Sequence, residues 1–139
     1  MIEKQQIQKL LARRWSAFPI CIPSYKRWDR KENKTITGII EKCDAELQAN
    51  TYVFVRAEQE QAYRDSFPTV NIVVLPDVNG LAGTRQYIQD YVISTLRRPY
   101  FIDMDDDITQ LKYVFHDPAG DHLSKADETD FSQILRFGC

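Results

Sequence analysis

The chain has 139 residues, of which 43% are hydrophobic and 27% are charged, and its formal net charge is −2 at pH 7. This length and composition predict one globular domain with a substantial core of its own. The small negative charge excludes a uniformly basic nucleic-acid binder, although five cations cluster in one predicted loop: Lys26, Arg27, Arg30, Lys31 and Lys34.

The sequence contains no segment typical of membrane insertion or export. No apolar run approaches the ~20 residues of a membrane span, and residues 1–6 lack the apolar core of a signal peptide. The cysteines Cys21, Cys43 and Cys139 are odd in number and form no Cys-x-x-Cys pair. This pattern fits a reducing compartment and gives neither a disulfide framework nor a zinc site. We therefore expect a cytoplasmic protein without a membrane partner.

Helical spacing and short apolar runs alternate along the chain. The predicted elements, in chain order, are a helix over 4–15, a strand over 18–22, a helix over 35–47 with Thr35 as its N-cap, a strand over 51–55, a helix over 59–66, a strand over 70–75, a helix over 84–96 and a strand over 100–103. The strands are continuous apolar runs, which is typical of a parallel sheet covered on both faces. The predicted class is therefore α/β, with a mostly parallel, helix-flanked sheet.

The C-terminal segment has a different composition. Residues 116–130 are polar and acidic and are predicted as a loop, and a short helix is predicted to begin near Thr129. The chain stops just after this apolar helix, which makes the sequence look like the first part of a longer protein. Three segments result, namely 1–17 with the N-terminal helix, 18–115 with the sheet, and 116–139.

The last predicted strand is followed by an unusual density of carboxylates. Asp103, Asp105, Asp106 and Asp107 fall within five positions, at the carboxyl end of a strand, where open α/β sheets bind their ligands. Two carboxylates ~4 Å apart repel by roughly 4 kcal/mol near a protein surface, so we expect a cation there. Hard divalent ions such as Mn²⁺ or Mg²⁺ prefer such oxygen ligands. A solvated acidic loop is the alternative interpretation.

Two other strand ends carry residues suited to a ligand. The segment Pro23–Arg27 offers a hydroxyl, an aromatic ring and two cations, and its alternative interpretation is a plain polar loop. Glu58 follows the second strand and would accept hydrogen bonds from a base or a sugar. An acid at this position would equally stabilise the N-terminus of the next helix.

The segment before the fourth helix has features of an anion site. Gly80 and Gly83 would let the backbone approach a ligand closely. A helix beginning at Thr84 offers free N–H groups, and Arg85 in its first turn indicates a diphosphate. The glycine spacing matches neither a dinucleotide-binding fingerprint nor a P-loop. A cation on the aspartates beside a diphosphate on Arg85 would form one coherent site.

Three stretches resemble A-type glycosyltransferases, the GT-A fold. Residues 20–27 resemble the first strand, whose end holds the nucleotide, and residues 80–88 resemble the loop and helix before the metal strand. Residues 101–108 resemble the Asp-x-Asp metal motif. Within this fold the chain is similar to the TET-associated glycosyltransferase group, found largely in phages. The resemblance implies that 18–115 is the nucleotide-sugar-binding half and that 116–139 begins an incomplete acceptor half.

The resemblance also implies an activity. The expected reaction is metal-dependent transfer of a sugar, from a nucleoside-diphosphate sugar to hydroxymethylpyrimidines in DNA, in the host cytoplasm if the protein is phage-encoded. By position, Asp105 and Asp107 would hold Mn²⁺ or Mg²⁺, Asp106 would support the site or touch the sugar nucleotide, and Arg85 would face the diphosphate. The remaining residues implied in nucleotide-sugar binding are Pro23, Ser24, Tyr25, Arg27, Glu58, Gly80 and Gly83.

The chain departs from the family pattern in the half that would bind the acceptor, and two rival functions stay open. The sequence singles out no catalytic base, and the two histidines, His116 and His122, are candidates for a further metal ligand or simply exposed loop residues. A dehalogenase-type Mg²⁺ phosphatase is one rival, because Asp103–Asp107 nearly fits Asp-x-Asp-x-Thr. A non-catalytic nucleotide-sugar-binding or interaction module is the other, and turnover would distinguish it from a transferase.

Overall fold

The computed structural model describes residues 18–78 and 80–109, together with the backbone of residues 112–116 and 123–128. The predicted helices over 4–15 and near Thr129 lie outside these residues. In chain order the elements are β1 (Ile20–Pro23), α1 (Lys34–Gly38), a 3₁₀ turn (Ile40–Lys42), α2 (Ala45–Ala49), β2 (Thr51–Arg56), a second 3₁₀ turn (Ala57–Gln59), α3 (Glu60–Ser66), β3 (Asn71–Leu75), α4 (Gly80–Tyr91), a π-helical segment (Val92–Leu96), β4 (Ile102–Asp103), β5 (Lys112–His116) and β6 (Leu123–Glu128).

Strands β1 to β4 form a parallel sheet in the order β3-β2-β1-β4. The predicted α/β class with a parallel, helix-flanked sheet is confirmed. The chain moves outward from β1 to β3 and then crosses back to place β4 on the other side of β1. The direction of the strand order reverses between β1 and β4, which makes this pair of strands the topological switch point, and ligands bind at its carboxyl edge.

The parallel sheet is covered by helices on both faces. Alternate side chains of each strand point to opposite faces, so each strand contributes buried residues to both. One face packs against α1, α2 and α3, and its buried residues include Ile20, Ile22, Ile36, Ile40, Leu47, Val53, Val55, Tyr63 and Phe67. The other face packs against α4 and its π-helical extension through Cys21, Phe54, Ile88 and Val92. The continuous apolar runs in the sequence reflect this double coverage.

The helix predicted over 35–47 is wrong as a single helix. It is divided into α1, a 3₁₀ turn and α2, and each α-helix has its own N-cap. Asn33 accepts a hydrogen bond from the N–H of Ile36, and Asp44 accepts one from the N–H of Leu47. These side chains satisfy helix-terminal N–H groups and so compete with a continuous helix. The predicted cap, Thr35, is a buried residue of α1 instead.

Helix α4 begins at Gly80, four residues before the predicted start at Thr84. Gly80 has a positive φ of 66°, which a glycine adopts without strain. A Cβ on Gly83 would lie 3.3 Å from the Cβ of Val78, so this glycine permits close packing against the preceding loop. The Thr84 hydroxyl donates to the carbonyl of Gly80 inside the helix. Both glycines are thus helical residues.

The predicted loop over 116–130 is wrong at β6, which pairs antiparallel with β5. Residues 123–128 are polar and poor in β-branched residues. Pairing with β5, which is rich in aromatic and β-branched residues, overrides that weak local preference. Strand β5 also spans the boundary predicted between residues 115 and 116. In the described part of the chain, no helix combines the length and apolar character needed to cross a bilayer.

Candidate functional site

A cavity lies at the carboxyl ends of the strands, at the topological switch point. It has a volume of about 510 Å³, within the ~300–1,000 Å³ usual for small-molecule sites. Its walls come from the segments that follow β1, β2, β3 and β4 and from the first turns of α4. The lining residues are Pro23, Ser24, Tyr25, Arg27, Phe54, Arg56, Leu75, Gly80, Leu81, Thr84, Asp105, Asp106 and Asp107.

Residues 105–107, here called the acidic turn, are fixed by Thr35 of α1. The Thr35 hydroxyl donates to the carbonyl of Asp105 and accepts from the N–H of Ile108 at 2.9 Å. The Thr35 backbone N–H donates to the carbonyl of Asp106 at 3.3 Å. Since Thr35 is fully buried, these bonds are shielded from water. A single residue of α1 therefore sets the backbone of the acidic turn.

A second network fixes the side chain of Asp106. The Ser24 hydroxyl donates to Asp106 Oδ2 at 2.7 Å and lies 2.7 Å from the hydroxyl of Tyr63. Because Ser24 has one hydroxyl proton, Tyr63 donates to Ser24, and the Tyr63 oxygen accepts from the N–H of Arg27 at 2.9 Å. Burial raises the pKa of the Tyr63 hydroxyl, which keeps it protonated as a donor. Asp106 is thus held by polar groups that are themselves satisfied.

The flanking carboxylates are accessible from the cavity. Asp105 is exposed and the side chain of Asp107 is 60% exposed, whereas that of Asp106 is 16% exposed. Within the described residues, no group of three or more His, Cys, Asp or Glu side chains is arranged to hold a metal ion. Two accessible carboxylates nevertheless suit Mg²⁺ or a similar ion, which commonly binds one or two carboxylates and takes further oxygens from substrate phosphates.

Two guanidinium groups line the same cavity. Arg27 Nη1 lies 3.5 Å from Asp106 Oδ1 and 4.0 Å from Asp107 Oδ2. Arg56, at the end of β2, has its guanidinium carbon 5.1 Å from the ring centre of Tyr25. Tyr25 is 52% exposed, so it presents an aromatic surface beside these cations. The cavity therefore offers carboxylates, guanidinium groups and an aromatic ring, which are groups able to bind a divalent ion, phosphates and a base, respectively.

Arg85 and Asp103 are placed away from this cavity. Arg85 Nη1 lies 3.7 Å from Asp103 Oδ2, and both residues line a separate cavity of about 60 Å³. Asp103 belongs to β4 and faces α4, below the acidic turn, because side chains alternate along a strand. The predicted diphosphate contact of Arg85 stays a prediction. The position of Asp103 argues against a phosphatase that would need this carboxylate in the cavity.

Glu58 lines a neighbouring cavity of about 220 Å³. This cavity shares Arg56, Leu75 and Thr84 with the larger one, so the two adjoin along the ends of β2 and β3. A ligand that extends from the acidic turn past Arg56 would reach Glu58. The arrangement is compatible with the predicted hydrogen bonds from this carboxylate to a base or a ribose.

The structure brings together most of the predicted site residues. The larger cavity gathers Pro23, Ser24, Tyr25, Arg27, Gly80 and all three residues of the acidic turn. Gly83 lines none of the cavities described above. His122 lies outside the described residues, and His116 is described only as a backbone position in β5.

Sequence reasoning missed two kinds of residue. Arg56 belongs to the predicted strand-end group 56–58, in which only Glu58 is given a role, although Arg56 itself ends β2 and lines the cavity. Thr35 and Tyr63 carry no comparable local signal, since their partners in the acidic turn and at Ser24 are far away in the sequence.

Comparison with known proteins gives one match. The family model of the TET-Associated Glycosyltransferase matches residues 18–137. Searches of the curated proteins and of the solved structures found no match. The matched range contains the whole parallel sheet and every residue that lines the 510 Å³ cavity.

Proposed function

The chain belongs to the TET-associated glycosyltransferase family, and from this premise we propose that it transfers a sugar from a nucleoside-diphosphate sugar to hydroxymethylpyrimidines in DNA, with Mn²⁺ or Mg²⁺ as cofactor. One observation carries the proposal: Asp105, Asp107, Arg27 and Arg56 line the same cavity at the switch point. Carboxylates for a divalent ion and guanidinium groups for phosphates serve one ligand when they share a site.

The donor would lie across the strand ends. Arg27 and Arg56 would contact the diphosphate, because guanidinium groups bind phosphate oxygens in a bidentate geometry. The base and ribose would extend along Tyr25 toward the adjoining cavity of Glu58. This orientation leaves the sugar near the acidic turn, at the open side of the cavity.

Asp105 and Asp107 would hold the cation. Their carboxylates are accessible, whereas Asp106 is engaged by Ser24 and Arg27. When bound, such an ion stabilises the negative charge on a departing phosphate. Asp106 would keep the turn in place and keep Arg27 oriented toward the cavity.

In the proposed transfer, the bond between the anomeric carbon and the diphosphate oxygen breaks, and its electron pair leaves with the diphosphate. The hydroxyl oxygen of the acceptor forms the new bond to the anomeric carbon, and its proton passes to a base. Arg27 and Arg56 would stabilise the developing charge on the leaving group, because charge-assisted hydrogen bonds contribute more than neutral ones.

Transfer is tested directly with the purified protein, Mn²⁺ and a panel of nucleoside-diphosphate hexoses. The acceptors are DNA that contains hydroxymethylcytosine or hydroxymethyluracil, and unmodified DNA serves as the control. We expect mass spectrometry of the digested nucleosides to show one added hexose on a hydroxymethylated base. Metal-dependent nucleotide binding without any transfer would favour the non-catalytic module, and phosphate release from a simple phosphoester would favour the phosphatase.

A further inference from the structure

Residues 25–34, here called the basic loop, have a charge opposite to that of the whole chain. The loop contains five cationic and two acidic residues, a net charge of +3, in a protein whose net charge is −2. The cations stand in one continuous stretch of ten residues rather than being dispersed over the surface. Such a local concentration creates a positive potential that attracts polyanions even when the whole molecule is slightly acidic.

Three of the five cations are available to a partner. Arg27 is engaged with the acidic turn, and Arg30 pairs with Glu41 at 2.8 Å. Lys26, Lys31 and Lys34 are exposed, and none of them forms an ion pair with a carboxylate among residues 18–78 and 80–109. The Lys26 ammonium lies 5.2 Å from the ring centre of Tyr25, so Lys31 and Lys34 are the least engaged cations of the loop.

The basic loop is anchored beside the 510 Å³ cavity at both ends. Ser24, just before the loop, donates to Asp106, and Thr35, just after it, donates to Asp105 and Asp106. Inside the loop, Asn33 Nδ2 donates to the carbonyl of Arg27 at 3.1 Å. The loop thus leaves the acidic turn and returns to it, and two of its residues, Tyr25 and Arg27, line the cavity.

Two aromatic rings in the loop are accessible to flat ligands. Tyr25 is 52% exposed and Trp28 is 40% exposed. The Trp28 ring packs edge-on against Tyr63, with 6.3 Å between ring centres, which fixes its orientation. Exposed rings interleaved with lysines favour a nucleic-acid strand over other polyanions, because such a strand offers phosphates at regular intervals and bases that stack on aromatic side chains.

We infer that the basic loop binds the phosphate backbone of the DNA strand next to the base that enters the cavity. The choice of DNA as the polyanion rests on the proposed function. Lys31 and Lys34 would contact phosphates, and Trp28 would contact an adjacent base. This surface would hold the acceptor in register with the donor while carrying no base specificity of its own.

The inference is tested by fluorescence anisotropy with a labelled 20-nucleotide DNA, in single-stranded and duplex form, at several NaCl concentrations. The variant K31Q/K34Q removes two cations of the loop. The control K42Q/R98Q removes two other exposed cations, Lys42 in the first 3₁₀ turn and Arg98 just before β4. Each double variant removes two positive charges, so the change in long-range electrostatic attraction to DNA is the same in both.

We expect K31Q/K34Q to bind DNA about tenfold more weakly at 0.1 M NaCl. The plot of log affinity against log salt concentration has a negative slope, and its magnitude should decrease by about 1 to 2 in this variant. The control should stay within about twofold of the parent. Equal weakening in both variants, or no weakening in K31Q/K34Q, would overturn the inference. Failure of the parent to bind DNA at all would overturn it as well.

Donor binding, followed as a thermal shift with Mn²⁺ and nucleoside-diphosphate sugars, separates this inference from the proposed function. If the parent binds donor and K31Q/K34Q binds DNA as tightly as the parent, the basic loop is the wrong surface and the donor site stands. If K31Q/K34Q weakens DNA binding in a protein that binds no nucleotide sugar, the surface is supported while the proposed function fails.

Discussion

Asp106 has a side chain only 16% exposed and accepts a hydrogen bond from Ser24, while its neighbours Asp105 and Asp107 are exposed to the cavity. Three identical residues in a row therefore have different surroundings. The outer two carboxylates are accessible, and the middle one ties the acidic turn to β1 and α3 through Ser24 and Tyr63. At the residue scale, the site depends on polar groups behind it that hold the carboxylates in place.

Thr35 is the clearest of these supporting residues. Replacing it with valine keeps the shape but leaves the carbonyl of Asp105 and the N–H of Ile108 without their partner. We expect T35V to bind the Mn²⁺–nucleotide complex about 10-fold more weakly, a loss typical of outer groups that orient metal ligands. T35S, which retains the hydroxyl, should bind as the parent does. Isothermal titration calorimetry measures the three affinities.

Thr51 provides the matched control for Thr35. It is also fully buried, and its hydroxyl donates to the carbonyl of Leu47 at 2.9 Å, at the end of β2 opposite the cavity. T51V should lose stability, roughly 0.5–1.5 kcal/mol, because it loses one buried hydrogen bond, while the carbonyl of Leu47 still accepts from the N–H of Asn50. Its affinity for the metal–nucleotide complex should equal that of the parent. If T35V and T51V bind this complex with equal affinity, Thr35 has no positioning role.

Arg56 and Arg85 can be compared for the diphosphate contact. Arg56 lines the large cavity, whereas Arg85 pairs with Asp103 outside it. We expect R56A to weaken nucleoside diphosphates by about 10-fold or more while nucleosides alone change little, because a bond to a charged group contributes about 1.5–3 kcal/mol. R85A should change both ligands little. The reverse order, measured by calorimetry, would favour the sequence-based assignment to Arg85.

At the residue scale, the sequence predicts the candidate ligands better than the residues that support them. The acidic turn and Pro23–Arg27 follow apolar runs directly, so the rule that ligands bind at strand ends identifies them. Thr35 lies 70 positions from Asp105, and only the packing of α1 against the acidic turn brings them together. The direction of Arg85 depends on where α4 starts, and that start differs from the predicted one by a full turn.

At the scale of elements, the two faces of the sheet explain why strands were predicted more accurately than helices. Each strand of the parallel sheet comes from an apolar run bounded by polar residues or proline, and the observed bounds of these four strands lie within two residues of the predicted ones. The segment 33–49 contains two N-cap residues, Asn33 before α1 and Asp44 before α2. A periodicity argument merges the two helices, because it counts apolar spacing and ignores capping.

Cys21 tests the burial of the α4 face of the sheet. Burial, with a smaller contribution from the nearby carboxylate of Asp103, raises the pKa of its thiol to about 12. We expect the thiol to resist iodoacetamide at pH 8.5 in the native protein and to react in urea, as read by peptide mass mapping, since the thiolate is the nucleophile. Labelling at the same rate in both states would contradict this packing.

The same shift predicts an alkaline loss of stability. The native thiol stays protonated, whereas the thiol of the unfolded chain ionises as the pH rises above its ordinary pKa of 9.0. The free energy of unfolding therefore falls as the pH rises from about 9 toward 12. Below pH 9 the thiol is protonated in both states, and its contribution to the free energy of unfolding is fully retained. Urea unfolding of the parent and of C21A at pH 7 and pH 10.5 measures it. C21A should lose less stability than the parent over this interval, and an equal loss would contradict the prediction.

At the scale of the whole molecule, the strand order β3-β2-β1-β4 unites the features of the site. It makes β1 and β4 neighbours, and so it places Ser24 beside the acidic turn although 82 positions separate Ser24 from Asp106. The basic loop and the cavity then share one edge of the sheet. The α/β class and the parallel strands could be predicted from sequence, but the pairing of β5 with β6 could not, because β6 has almost no strand signal of its own.

The measurement that tests the central claim most directly is thermal unfolding with Mn²⁺ and a panel of nucleoside-diphosphate sugars, for the parent, D107N and D103N. Asp103 is the matched control, because it is an aspartate of the same strand end that lies outside the cavity. A ligand present at 100 times its dissociation constant stabilises the native state by about 2.7 kcal/mol, which raises the melting temperature by several degrees in a domain of this size. We expect a shift that needs both Mn²⁺ and one nucleotide sugar in the parent and in D103N, and no such shift in D107N. A shift that is independent of Mn²⁺, or one that D107N retains in full, would contradict the metal-dependent donor site.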